Sequence, residues 1–316
     1  MRRCVAAFFT LSLLLFARDL HPVATFRASG YVSDFAVEDG KLYVGTDRGS
    51  VDLFELQSGR HLFQIPLDPV PDGRGGLVPA RVLSVDVRDG ELLIVSIGED
   101  GYRDLWIYRN FRLRKIAGKE RRLFVKKARF ADSGKILFAT YGSELALFAI
   151  EEGYEIYRSR PSESTMGDMV LSEDRKKILF SDESGRIVVV DTQSGRIVER
   201  LDSKHLDNVH HLAYARGVLL SGGHDRRVGV FRRERKPYFI PTGFPVFCVG
   251  LSPDAKIGLF SSGDAQVLQL FDVETGRATD RLVGHRAIIN QIKFVNERTL
   301  LSSERGRTVY MWRLDQ

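Results

Sequence analysis

Residues 245–285 read PVFCVGLSPDAKIGLFSSGDAQVLQLFDVETGRATDRLVGH, and the order of apolar runs and breaks within them decides how the chain folds. Four short strands are expected, over 246–251, 257–261, 267–273 and 277–283, separated by Pro, Asp, Gly and Ser positions that interrupt a ladder. The third break, Glu274-Thr275-Gly276-Arg277, puts Gly where a tight hairpin needs a residue that tolerates positive φ. Such a sheet cannot bury both of its faces alone. It needs neighbours of the same kind.

The neighbours lie at regular distances. A small residue ends each second strand, at Gly45, Ser96, Ala139, Ser181, Ser221, Ser261 and Ser302, giving steps of 51, 43, 42, 40, 40 and 41 residues. That period belongs to the four-stranded blades of a propeller. Each small residue follows an apolar triplet such as Leu42-Tyr43-Val44, Ile136-Leu137-Phe138 or Ile178-Leu179-Phe180. Further on, a third strand brings Phe54, Trp106, Phe148, Val190, Phe231, Phe271 or Trp312. Seven such positions predict seven blades. A β-sandwich would supply strands of similar length but has no reason to keep the period. Because a closed ring distributes its core between sheets, residues 18–316 are expected to form one domain, although 316 residues would otherwise suggest two.

On these residues the chain resembles WD40-repeat proteins. Gly284-His285, followed by Ile289, Ile292 and Phe294, is similar to the entry to a WD40 blade. Leu270-Phe271-Asp272 resembles the Trp-Asp exit with Phe for Trp. The likeness covers most of residues 22–315, but only Trp106 and Trp312 keep Trp, and neither is followed by Asp. The resemblance implies a buried set of loop His, turn Asp, strand Ser and Trp. It is expected to be nearest to complete around His205, Ser221 and Asp225, with Phe231 in place of Trp; around His285, Trp312 is present but Arg305 stands where the Asp would be.

The last segment, 288–314, holds only three strands, whereas residues 23–27 (VATFR) precede the first full unit and are similar to 278–281 (ATDR) in the clearest fourth strand. The N-terminal strand is therefore expected to complete the last blade and cover an edge that would otherwise pair with other chains. The expected fold class is all-β: a seven-bladed WD40-like β-propeller closed by its N-terminal strand and preceded by a signal peptide.

That leader is Met1-Arg2-Arg3 followed by the apolar run CVAAFFTLSLLLFA over residues 4–17. A basic start and a run shorter than the roughly 20 residues of a spanning helix match a secretory signal peptide, with cleavage expected after Ala17. An uncleaved anchor is the alternative; either way the propeller is expected in the periplasm. Of 2 Cys, removing the leader leaves Cys248, in an apolar first strand and expected to be a buried inert thiol. Lys+Arg falls from 47 to 45 against 41 acids, about +4, which is no nucleic-acid footprint.

Two connections exceed the usual length. Residues 66–80 (PLDPVPDGRGGLVPA) join a fourth strand to the next first strand, and residues 98–103 (GEDGYR) join a second strand to a third. Meander geometry sends both to the same face on adjacent blades. Their polar and aromatic tips, Asp72, Arg74, Glu99, Asp100, Tyr102 and Arg103, are candidate partner-binding residues, with flexible decoration as the other reading of such loops.

No catalytic constellation is present: no Gly-x-Ser-x-Gly, no His-Glu-x-x-His, no phosphate loop and no Cys pair. No catalytic, cofactor-binding or metal-ligating residue is therefore assigned. His210 and His224 are the best pair for a metal, but His210 and His211 point to opposite faces of a strand and cannot both be ligands. The basic stretches 112–127 (RLRKIAGKERRLFVKK) and 226–236 (RRVGVFRRERK) are expected on the outer rim, where they discourage aggregation or meet an acidic partner or membrane surface.

These features favour a non-enzymatic, monomeric scaffold that binds a protein partner and neither nucleic acid nor a cofactor. Size, leader and seven degenerate blades resemble the NapL-type accessory proteins of periplasmic nitrate reductase, which would make the partner a periplasmic redox enzyme. A propeller enzyme, a lactonase-like hydrolase or quinoprotein-like dehydrogenase, would need carboxylates converging on a metal at the channel. The positions expected there, Ser33, Ser84, Lys127, Asp168, His211, Cys248 and Gln291, do not make an acidic cage. An envelope-assembly scaffold is a third reading.

Overall fold

The computed structural model describes residues 17–263 and 266–315; the leader, up to residue 16, lies outside them. The described chain forms seven four-stranded antiparallel meanders arranged as a β-propeller. Blade 1 runs outward through Val32–Glu38, Lys41–Thr46, Ser50–Glu55 and His61–Pro66. The inner strands of blades 2 to 7 are Val82–Arg88, Val125–Asp132, Met166–Leu171, Val209–Ala215, Val249–Leu251 and Ile289–Phe294. All seven small residues used to find the period fall near the ends of second strands.

The apolar triplets make second strands buried on both sides, because each blade is sandwiched between two others. The apolar side chains accordingly gather between blades. Seven clusters span the seven interfaces: Leu93 and Val95 of blade 2 meet Phe130 and Phe138 of blade 3, for example, and Phe26 and Val309 of blade 7 meet Phe35 and Val44 of blade 1. Each large side chain enclosed in this way contributes on the order of 1.5–3 kcal/mol. Where blades approach most closely no side chain fits. A Cβ on Gly167 would lie 2.1 Å from the Val209 carbonyl oxygen of the next blade.

Closure follows the expected route. Ala24–Arg27 pairs antiparallel with Thr308–Arg313 as the fourth strand of blade 7, with Phe26 opposite Val309. Just before it, Asp19–Leu20 pairs parallel with Ala278–Leu282, adding a fifth strand to blade 6 that sequence reading did not anticipate. Leu20 is buried beside Leu282, and Arg281 pairs with Asp19 at 2.7 Å. The N-terminal segment thus ties blade 6 before it closes blade 7.

Two expected boundaries are corrected. The inner strand of blade 6 starts at Val249 and not at Val246, because the Ser261 hydroxyl accepts the Phe247 and Cys248 N–H groups at 3.0 and 3.1 Å in place of a ladder carbonyl. The basic stretch 112–127 does not stay on the rim. Its connection returns to the axis, so Lys126 and Lys127 sit on the inner strand of blade 3.

Candidate functional site

The two long connections meet on one face. Residues 66–80 fold into a small hairpin, Val70–Pro71 with Leu77–Val78, whose turn is tied by the Asp72 carboxylate accepting the Arg74 and Gly76 N–H groups at 2.7 and 2.9 Å. This hairpin packs on the 3-10 turn Glu99–Gly101 of blade 2. Asp100 and Gly101 both carry positive φ there, 55° and 76°, and reverse the chain sharply before Tyr102. Lys119 from the next connection pairs with both Glu99 and Asp100.

Beyond the turn lies a cluster of rings and cations. Tyr102 packs on Phe124 with centroids 5.1 Å apart, and the Arg103 guanidinium lies 5.8 Å from Phe124 and 6.0 Å from Tyr141. Lys126 stands 5.7 Å from the Tyr141 ring while donating to the Met166 and Gly167 carbonyls of blade 4. Burial pulls the Arg103 and Lys126 pKa values down. The apolar groups remain open to solvent: Leu77 is 70% exposed, Phe124 48% and Tyr141 42%. Of the six candidate residues, Tyr102 and Arg103 belong to this cluster. Asp72 holds the hairpin turn, Glu99 and Asp100 hold Lys119, and Arg74 sits exposed at the hairpin tip. Sequence reading missed Phe124 and Tyr141, which come from other connections, and Lys126, which comes from the inner strand of blade 3.

The axial channel is lined by two rings of side chains. The first comprises Asp34, Ser84, Lys127, Asp168, His211, Cys248 and Gln291. Blade 1 contributes Asp34 and not Ser33: a bulge opens the inner strand of every blade but the sixth, and Asp34 stands just after it, as Ser84, Lys127, His211 and Gln291 do in theirs. Six of the seven accept the N–H of the following blade. Val85 donates to Asp34 at 3.0 Å, Ala128 to Ser84 at 3.4 Å, Leu212 to Asp168 at 3.0 Å, Val249 to His211 at 3.5 Å and Phe35 to Gln291 at 3.0 Å. Ile292 donates to the Cys248 thiol, whose pKa burial pushes well up. Lys127 cannot accept, and instead pairs with Asp168 at 2.5 Å. The ring is a circuit of acceptors that sews blade to blade, which explains its mixture of residue types.

Its charges are balanced internally. Burial would raise the Asp34 carboxyl, but the cations of Arg129, Lys293 and Lys127 outweigh it and hold the pKa below the usual range. Lys127 and His211 likewise overcome burial at Asp168 and bring it to about 2. Burial takes His211 down to about 4 despite Asp168.

The second ring, two residues further along each strand, holds Ala36, Asp86, Arg129, Val170, Ala213, Gly250 and Lys293. Asp86 accepts the Phe130 N–H at 2.8 Å, and Arg129 donates to Ser84 at 2.8 Å and approaches Asp34 at 3.4 Å. Lys293 lies over the Phe35 ring at 5.9 Å. Sequence reading passed over these residues, whose shared feature is a two-residue offset from the first ring.

Of the two WD40-like sets, that of blade 5 is as expected and that of blade 7 differs. In blade 5, His205 contacts Asp225 at 2.9 Å and Ser221 at 2.7 Å, with Phe231 at the Trp position. In blade 7 the set is complete. His285 contacts Ser302 at 2.8 Å, Trp312 donates to the same hydroxyl at 2.7 Å, and Glu304 stands 3.1 Å from the other His285 nitrogen. Glu304 takes the acidic role that Arg305 cannot, because its longer side chain reaches back from the strand end to accept the Arg286 N–H as well. His210 and His224 share a 3.2 Å contact, and among the described residues no three His, Cys, Asp or Glu groups gather as a metal site.

Blade number, sheet order and closure define a seven-bladed β-propeller with a WD40-like arrangement. No protein-family profile matches the chain, and no curated protein matches it.

Proposed function

We propose that the chain is an exported, non-enzymatic propeller scaffold that docks a protein partner on the loop face around blades 2 and 3. One observation carries this reading: the two insertions converge with Leu77 exposed on the first, and the second brings Tyr102 and Arg103 against the exposed Phe124 and Tyr141, beside Lys126. Exposed aromatics with interleaved cations are the composition of interface hot spots. The resemblance to NapL-type accessory proteins gives the partner, a periplasmic nitrate reductase whose assembly or electron supply the scaffold assists.

The test compares the full chain with a Phe124→Asp/Tyr141→Asp double variant, each recovered from periplasm and examined by mass spectrometry. A molybdenum redox enzyme is expected with the parent and lost with the variant. Recovery of no redox enzyme above background, or equal recovery with both, sinks the reading. The intact mass of the recovered chain reports whether cleavage follows Ala17.

A further inference from the structure

The channel mouth opposite the loop face is a cavity of about 450 Å³ at the ends of the inner strands. Its charged lining is Lys127, Arg129, Arg175 and Lys293 against Asp86 and Glu173. Glu173 lies on the exposed rim, where its carboxylate accepts the Arg216 N–H. Arg175 reaches Asp86 only at 4.0 Å. Lys127 and Arg129 have Asp168 and Asp34, so three of the four cations have carboxylate partners. Lys293 has none within ion-pair distance among the described residues, and Arg129 adds to the burial that brings its pKa down to about 8.

Across from this cationic side the lining is apolar, with Val170, Ala213 and Leu251. A partly buried cation without a carboxylate partner is costly unless an anion completes it. The volume falls in the range of small-molecule sites, and such sites combine apolar walls with a few fixed polar groups.

We propose that this mouth binds a small organic monoanion, a carboxylate carrying an apolar body, with Lys293 and Arg175 holding the carboxylate and Val170, Ala213 and Leu251 contacting the body. One negative charge matches the single unpaired cation, and the apolar wall selects against fully hydrated anions. This site is independent of the loop face and stands whether or not that face docks a protein.

Calorimetry and thermal melts of the full chain with benzoate, hexanoate, inorganic phosphate and hexylammonium test it. Benzoate and hexanoate are expected to bind and raise the melting temperature, phosphate to bind less well and hexylammonium not to bind. Loss of one charge-assisted contact predicts that Lys293→Met weakens carboxylate binding by roughly tenfold or more. Lys293→Arg should retain it, and the melts show whether each variant folds.

Binding should also weaken as pH rises through about 8, where Lys293 loses its proton. Arg129, Lys127, Asp34 and Asp86 face Lys293 from other inner strands; the raised Arg129 stays charged and the lowered Asp34 stays ionised over that range. Failure of both carboxylates to bind, undiminished binding by Lys293→Met, or equal binding of hexylammonium overturns the proposal. Phosphate binding as tightly as benzoate overturns the assigned ligand class.

Discussion

The two rings of the channel are separated by two residues along the same strands, yet they are built for different ends. In the first, six side chains accept a backbone N–H from the next blade and the seventh makes an ion pair, so polarity there joins the blades. In the second, Asp86 makes such a link and Arg129 leans on its neighbours, while Lys293 faces an open cavity. Charge near a propeller axis is therefore no sign of a binding site by itself. What separates structure from site is whether the neighbouring backbone already uses each polar atom.

The comparison can be broken in four places. The harshest test removes residues 1–30, which deletes the fourth strand of blade 7 together with the buried Phe26 and the strand added to blade 6. Cooperative melting, followed by circular dichroism, is expected to be lost; an unchanged melting temperature would show that the side-chain ring closes the propeller without the strand. Next in size is Asp34→Ala. It leaves Arg129 without its carboxylate and orphans the Val85 N–H, and removing one partner of a buried pair costs about 3–5 kcal/mol in denaturant unfolding.

A smaller effect depends on pH. The folded His211 pKa, about 4, lies below its unfolded value of about 6.5, so the unfolded chain binds the proton more readily. The stability contributed by neutral His211 is complete above about pH 6.5 and is lost as pH falls toward about 4. His205, His210 and His285 are shifted the same way by burial and steepen the fall. Melts between pH 7 and 4.5 should decline, and His211→Gln, which keeps an acceptor for Val249, should flatten part of that decline. An equal slope in the variant would remove His211 from the account.

The smallest effect is expected in the second ring. Lys293→Met should change stability by less than about 1 kcal/mol or raise it, since replacing an unpaired, partly buried cation by a side chain of similar length relieves desolvation. A loss as large as that of Asp34→Ala would mean that both rings serve the fold alike.

Much of this architecture is legible in the chain itself. The triplet before each small residue has to be buried on both sides, which only stacked blades allow, and three strands after His285 leave one to be supplied by residues 23–27. The common face of the two long connections also follows from strand direction alone. Three features do not. Asp34 replaces Ser33 at the axis because the axial position is the one that follows a bulge, shared by every blade but the sixth and invisible in the alternation of apolar residues. Glu304 replaces Arg305 beside His285 because side-chain reach decided the role, where sequence position pointed one residue further. Tyr102, Phe124 and Tyr141 come together from three different connections with no spacing to announce them.

Local sequence determined the number of blades, the order of strands and the means of closure, because hydrophobic period and chain direction are properties of consecutive residues. Tertiary structure decided which polar atoms are used by a neighbouring blade and which face open space. That distinction depends on distances across interfaces between residues some forty positions apart.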